Sequence, residues 1–158
     1  MAEALLHFEQ VVRRSTGGSQ KPEDQDELHP FDKRNIHPEI SRVSMNLFND
    51  GHYSQATFEG FKYIDKKVKK LSGLSKTGVS LMLDAFKEQN PNIQLNDLSD
   101  ESERDEQKGF SFLFAGSSSA IRNPRGHEVG NLDTVDRCLD HLSLASFLLR
   151  TLDERVAP

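Results

Sequence analysis

The chain has 158 residues, of which 28% are charged and 35% are hydrophobic, and its formal net charge is −5. This length favours one main domain with a real core, and the acidic balance excludes nucleic-acid binding by a broad basic surface. A single cysteine, Cys138, excludes an intrachain disulfide and is typical of a cytoplasmic protein, and no apolar run is long enough to cross a membrane.

The N-terminal segment, residues 1–28, is predicted to hold a short helix and a flexible linker, and the main domain is predicted over residues 29–158. Leu5, Phe8 and Val12 have the spacing of an amphipathic helix, whereas the residues after them are polar, Gly-rich and acidic. Because this segment has little to bury, we expect it to be available to a regulatory protein partner.

Apolar residues recur at three- and four-residue spacing along the main domain, and no stretch alternates with the period of a strand. The pattern predicts an all-α protein, an up-and-down bundle of four main helices with one extra short helix and the N-terminal helical extension. Asp133 is the predicted N-cap of the last helix. The apolar stripes, with the short helix third, run from Ile40 to Phe48, Ala56 to Leu71, Val79 to Phe86, Phe110 to Ile121 and Leu132 to Leu149.

Two charged segments stand out within this pattern. Residues 97–106 hold six acids, which is typical of a solvated loop or of the exposed first turn of a helix. The dense basic run of Lys66, Lys67, Lys69 and Lys70 is open to two interpretations, an RNA backbone track or a solvated helix face.

The stretch Arg122-Asn123-Pro124-Arg125-Gly126-His127 brings cations and a histidine together just before the last predicted helix. RNA is cut without a metal when its 2′-OH attacks the adjacent phosphorus, which requires proton transfer and a cation for the developing charge. An imidazole transfers protons near neutral pH, and a guanidinium bonds two phosphate oxygens while it stays charged. The stretch therefore predicts an RNA-cleaving site.

Each residue of the stretch has an expected part in that site. His127 would transfer protons, Arg122 would bind the scissile phosphate, and Asn123 would orient the histidine or donate to a phosphate oxygen. Arg125 and Glu128 are further candidates for binding the substrate. Pro124 and Gly126 predict a helix break that folds His127 back toward Arg122, although a plain helix C-terminus with basic residues is the alternative.

The same residues resemble the Arg-x(4–6)-His signature of HEPN-domain proteins, in which a polar residue often follows the arginine. The chain is also similar, across roughly residues 36–155, to the uncharacterised Ymh-type branch of that superfamily. This second likeness is carried by Tyr53-Ser54-Gln55-Ala56, Gly78-Val79-Ser80-Leu81-Met82, Asp105-Glu106-Gln107-Lys108-Gly109 and Ala145-Ser146-Phe147-Leu148-Leu149-Arg150.

The resemblance implies a four-helix HEPN fold and a homodimer in which two Arg/His motifs form one composite cleft. It implies a metal-independent endoribonuclease, with Arg122 and His127 as the catalytic pair, Asn123 as the accessory polar residue and Glu59 in contact with Arg122 across the bundle. Relatives of this kind act as toxins or effectors in phage defence, so a defence-complex partner is also expected. No cofactor and no metal site are expected, and a non-catalytic HEPN module that binds a protein, nucleic acid or nucleotide is the alternative.

Overall fold

A computed structural model describes residues 28–127 and 133–156, and within these ranges it contains α-helices and no strand. We number the α-helices α1 to α7 along the chain, and a π turn lies between α5 and α6. The elements are α1 Pro30–Lys33, α2 Pro38–Asn49, α3 Tyr53–Ser72, α4 Gly78–Ala85, α5 Glu101–Ser117, the π turn Ser118–Arg122, α6 Asn123–His127 and α7 Val135–Asp153. The all-α prediction is confirmed for the described residues.

The two His-Pro pairs of the chain begin α1 and α2. In each pair the proline occupies the first helical position, where no N–H is needed, and the preceding histidine caps the helix. The Nδ1 atom of His29 accepts from the Phe31 N–H, and that of His37 accepts from the Glu39 N–H, both at 3.1 Å. The apolar pattern did not predict α1, because four residues are too few to show a helical period.

Helix α3 is the centre of the fold and contacts α2, α4, α6, α7 and the π turn. Its buried face carries residues such as Ala56, Ile64 and Val68, which are at most 1% exposed. Gly60 allows α7 to approach closely, because a Cβ at this position would lie 2.9 Å from Leu142 Cδ2. The predicted stripe over residues 56–71 is confirmed, and the helix ends at Ser72, before Gly73 with its positive φ.

Helix α5 packs on α4 and carries the acidic segment in its first turns. Asp100 caps it, accepting from the Glu103 N–H at 2.9 Å, so the acids lie where the helix dipole favours negative charge. The buried amide of Gln107 donates to the Phe86 and Ile93 carbonyls and accepts from the Leu95 N–H. This one side chain replaces the backbone partners that the connection between α4 and α5 lacks.

The predicted helix break at Pro124 and Gly126 is wrong, because the chain stays helical through His127. Proline cannot donate to the carbonyl four residues back, which normally interrupts a helix. Here the π turn precedes it, and the Asn123 N–H donates to the Ser118 carbonyl, five residues back. The wider turn takes up one extra residue, and the helical rod continues past the proline.

Of the other predicted elements, the helices are confirmed and one N-cap is wrong. The helices predicted from the stripes on α2, α4 and α7 are confirmed, but Leu83 of α4 and Val135 of α7 are 40% and 41% exposed, and Leu132 lies outside the described residues. None of the described helices is long and apolar enough to span a membrane. Asp133 is not the N-cap of α7, since Thr134 caps that helix and accepts from the Arg137 N–H at 3.3 Å. The predicted helix at residues 5–12 lies outside the described residues.

Candidate functional site

The Arg-Asn-Pro-Arg-Gly-His stretch lies where the π turn and α6 meet α3. Residues five positions apart on an α-helix diverge by about 140° around its axis. Arg122 accordingly faces α3, whereas His127 is exposed at the last residue of α6. The structure thus holds both residues on one short rod, without the fold-back expected from the sequence.

Arg122 has its guanidinium over the ring of Phe58, with the two centres 5.7 Å apart. One terminal nitrogen, Nη1, donates to Asn123 Oδ1 at 3.1 Å. The Nε atom is buried and has no hydrogen-bond partner among the described residues. A guanidinium that packs on an aromatic ring and has no ion pair with another described residue is suited to an anion such as a phosphate oxygen.

Phe58 is shared by three groups of this corner. The Lys62 ammonium lies 5.4 Å from its ring centre, so that cations from α3 and from the π turn both contact one ring. Gly126 contacts the ring edge, because a Cβ at this position would lie 2.9 Å from Phe58 Cε2. The absence of a side chain at Gly126 therefore allows α6 to lie against the ring that supports Arg122.

His127 makes no hydrogen bond or ion pair with any other described residue, and its side chain is exposed. An exposed imidazole at the end of a helix can reach a substrate without first breaking a contact within the described part of the protein. Glu128, the residue that follows it, lies outside the described residues.

Arg125 points away from this surface and into a buried ion pair with Asp133. Its Nε and Nη2 atoms lie 2.6 and 2.5 Å from the two carboxylate oxygens, and the two side chains are 2% and 0% exposed. Its Nη1 atom donates to the Ile121 carbonyl at 2.7 Å, and the Asp133 N–H donates to Ser54 Oγ at 2.7 Å. Arg125 thus joins α6 to the start of α7 and to α3, and it lies apart from Arg122.

The buried pair perturbs the groups around it. Burial raises the pKa of Asp133, but hydrogen bonds from Arg125 and its positive charge outweigh burial, and the pKa lies below its usual value. Burial, followed by the charge of Arg125, lowers the pKa of His141, whose Nδ1 atom is 3.3 Å from Arg125 Nη2. Burial likewise raises the pKa of the Cys138 thiol. These surroundings favour the charged form of Asp133 and the neutral form of His141.

Glu59 does not form the expected contact with Arg122. Its carboxylate accepts from Lys62 Nζ at 2.8 Å on the same helix, and the residue of α3 that meets Arg122 is Phe58, one position earlier. Because Arg122 contacts an aromatic ring and not the expected carboxylate, its guanidinium has no charged partner in the described protein. Its positive charge is then available to a ligand.

Sequence reasoning missed Phe58 and the buried pairing of Asp133, and the adjacent residues Asp140 and His141 prove to have different surroundings. Asp140 does pair on the surface, with Arg34, but His141 is half-buried beside Asp133. One signal was available, because Thr134 is itself a good N-cap and leaves Asp133 free for another partner. No signal linked Phe58 to Arg122, since 64 positions separate them in the chain.

No group of three or more His, Cys, Asp or Glu side chains among the residues of known placement is arranged to hold a metal ion. Comparison with protein families gives one match, to a family described as "Protein of unknown function (Hypoth_ymh)", over residues 34–152. Comparisons with curated proteins and with solved structures give no match.

Proposed function

This chain belongs to the Ymh family of proteins of unknown function, and we propose that it is a metal-independent endoribonuclease with a HEPN-type four-helix bundle. The proposal is carried by one observation, the guanidinium of Arg122 held over Phe58 without an ion pair to another described residue. An exposed histidine on the same rod supplies the second chemical group. The position of this rod, just before the last long helix, agrees with the HEPN resemblance.

The reaction that these groups support is transesterification within the RNA chain. The 2′-oxygen bonds to phosphorus as its proton passes to a base, and the bond from phosphorus to the 5′-oxygen breaks as that oxygen takes up a proton. The products are a 2′,3′-cyclic phosphate and a 5′-hydroxyl. Arg122 binds the scissile phosphate and stabilises its extra negative charge, and His127 transfers a proton. Asn123, which accepts from Arg122, orients the guanidinium.

The buried pair of Arg125 and Asp133 supports the same site as a positioning element. Because this pair joins the two sides of the segment that follows His127, it fixes the end of α6 relative to α7. In this proposal Arg125 acts through the position of His127, whereas Arg122 contacts RNA.

A second copy of the chain completes the site, because one Arg/His pair supplies one proton-transfer group and the reaction needs two. The face suited to this contact is the exposed side of α5, where Phe112 and Leu113 are 60% and 48% exposed. Gly116 and Ala120 continue this face along the rod toward Asn123, and open space lies above Gly116. Pairing of two such faces would bury apolar surface and bring two α6 helices near each other.

The decisive experiment is an RNA cleavage assay in EDTA with the wild-type protein, His127→Ala and the control His52→Ala. His52 is also exposed, and its side chain makes no capping bond, so this control removes an imidazole without changing the proposed site. We expect wild type and His52→Ala to leave cyclic-phosphate ends and His127→Ala to be slower by about 10²–10⁴-fold, the usual contribution of general acid–base catalysis.

A second substitution, Arg122→Lys, keeps the charge but removes the planar fork, and we expect it to lose most of the activity. Cleavage that disappears in EDTA, or that is equal in all four proteins, would contradict the mechanism. RNA binding without cleavage by the wild-type protein would instead favour a non-catalytic HEPN module.

Toxicity on expression tests the proposed biological setting. A nuclease that acts as a toxin or effector in phage defence should arrest growth when produced alone, and His127→Ala should relieve the arrest. Equal growth with both proteins would count against a toxin that is active without a trigger or partner.

A further inference from the structure

We propose that the exposed basic face of α3 is the track along which the RNA backbone leaves the cleavage site, an inference that rests on the proposed function. The α3 basic track consists of Lys62, Lys66, Lys69 and Lys70. Of the two interpretations of the lysine run, the proposal takes the RNA backbone track, and it assigns this face of α3 to the binding of one phosphodiester strand.

The track begins at the candidate site itself. Lys62 and Arg122 lie over the same ring of Phe58, at 5.4 and 5.7 Å from its centre, so the first cation of the track adjoins the cation proposed to bind the scissile phosphate. Arg122 forms no ion pair with another described residue, so its positive charge lies next to the start of the track. The track and the site therefore adjoin each other at Phe58.

Helical geometry aligns the remaining lysines with this start. At 100° per residue, Lys62, Lys66 and Lys69 lie within about 80° of Phe58 around the helix axis, and Lys70 lies within about 120°. From Phe58 to Lys70 the track extends about 18 Å along the axis. A single row of cations on one helix suits one backbone strand, so we assign the track to single-stranded RNA.

Three of the four cations on this face form no ion pair within the described protein. Lys66, Lys69 and Lys70 are exposed and form no ion pair with another described residue. Lys67 provides the contrast, since it points to another face and pairs with Asp153 of α7 at 3.5 Å. Two acids of α3 lie next to the track. Glu59 pairs with Lys62, and the buried Asp65 accepts from the Gly78 N–H at 2.9 Å.

Two simpler explanations account for only part of the track. Cations in the last turn of a helix interact favourably with its free carbonyls, which explains Lys69 and Lys70 but not Lys62 and Lys66. Solubility does not require a local positive row, because the chain already has a net charge of −5. Local positive charge on an acidic protein is the pattern expected when a polyanion must bind at one place.

The test measures RNA binding in a protein that cannot cut its ligand. In a His127→Ala background, we compare a track variant with Lys66, Lys69 and Lys70 each changed to Gln and a control variant with Lys33, Lys87 and Lys108 each changed to Gln. The six lysines are exposed, and both variants lose the same charge. Fluorescence anisotropy with a labelled single-stranded RNA oligonucleotide, over a range of salt concentrations, gives the affinity and its salt dependence.

Each phosphate contact to a single strand contributes about 0.7 to the slope of log K against log salt, so the track variant should lose about 2 from this slope. At 0.1 M salt the same change corresponds to a loss of about 100-fold in affinity. The control variant should change both quantities much less. Circular dichroism and thermal unfolding confirm that both variants are folded.

Equal losses in the two variants would show a general charge effect and overturn the track, as would unchanged binding in both. Absence of binding by the His127→Ala parent would also overturn it. The cleavage assay with wild-type protein separates this result from the fate of the nuclease proposal. Metal-independent cleavage with unchanged track binding would leave the nuclease and remove the track.

Discussion

The buried ion pair between Arg125 and Asp133 gives the most direct test of the structural argument. We consider Asp133→Asn, which keeps the shape of the side chain but removes its charge. The guanidinium then stays in a site where the two side chains are 2% and 0% exposed, without a counter-charge. It also loses the charge-assisted bonds at 2.6 and 2.5 Å.

Removal of one partner from a buried pair costs about 3–5 kcal/mol, because the remaining charge cannot recover its hydration. For a protein of this length each kcal/mol corresponds to about 2–4 °C, so the midpoint of thermal unfolding should fall by about 6–20 °C. The free energy of unfolding in urea is the primary assay, and calorimetry gives the shift in the midpoint.

The matched control is Asp140→Asn, which removes a carboxylate from an exposed pair with Arg34. These side chains are 68% and 37% exposed, so water replaces the lost contact and the cost should be at most about 1 kcal/mol. A second comparison combines Arg125→Met with Asp133→Asn. The double variant should be more stable than the sum of the single losses predicts, because no unpaired charge remains in the site.

A loss of stability from Asp133→Asn no larger than that from Asp140→Asn would contradict a strong buried ion pair. Additive losses from Arg125→Met and Asp133→Asn would contradict it as well. Either result would mean that the pair contributes little beyond its hydrogen-bond geometry and cannot hold α6 against α7.

Three further predictions follow from other contacts. Burial and then the charge of Arg125 lower the pKa of His141 in the folded protein, so below about pH 6.5 the unfolded chain binds more protons than the folded protein. The free energy of unfolding in urea should therefore fall as pH drops from 7, and His141→Gln should make this fall shallower. Parallel curves of stability against pH for the two proteins would contradict this prediction. The Cβ added by Gly109→Ala would meet no described atom within 4 Å, so this variant should raise the free energy of unfolding by up to about 1 kcal/mol. The Cβ added by Gly126→Ala would lie 2.9 Å from the Phe58 ring, so this variant should give no such gain and should reduce cleavage. Phe112→Ser should lower the mass measured by sedimentation at a given concentration, because it removes the largest exposed apolar side chain of α5, and an unchanged mass would exclude this face as the contact between copies.

Local patterns were sufficient to predict most of the helices. The stripes on α2, α3 and α7 follow from the spacing of apolar residues. Gly51 lies just beyond the end of α2 and Gly73 just beyond the end of α3, and both have positive φ. The acidic start of α5 was one of two open interpretations and is the one that the structure confirms. These features depend on residues within one or two turns of each other, which is why a single sequence contains them.

The path of the chain at Pro124 could not be predicted in the same way. A proline followed closely by a glycine usually ends a helix, and the sequence has no local mark for a π turn. The helix continues because packing on α3 and the bond from Arg125 to the Ile121 carbonyl stabilise the wider turn.

Some features of the candidate site follow from the sequence, and others follow only from the tertiary structure. The residue types of the Arg-Asn-Pro-Arg-Gly-His stretch, and thus the kind of chemistry proposed, are properties of the sequence alone. Which of its two arginines is open to a ligand is a property of the tertiary structure, because burial depends on partners far along the chain. Asp133, whose N–H donates to Ser54 Oγ, holds Arg125 inside, whereas Phe58 offers Arg122 an aromatic face and no counter-charge. A phosphate binds a guanidinium that has no neutralising partner. Only the packing of α3 against α6 and α7 determines that this guanidinium belongs to Arg122 and not to Arg125.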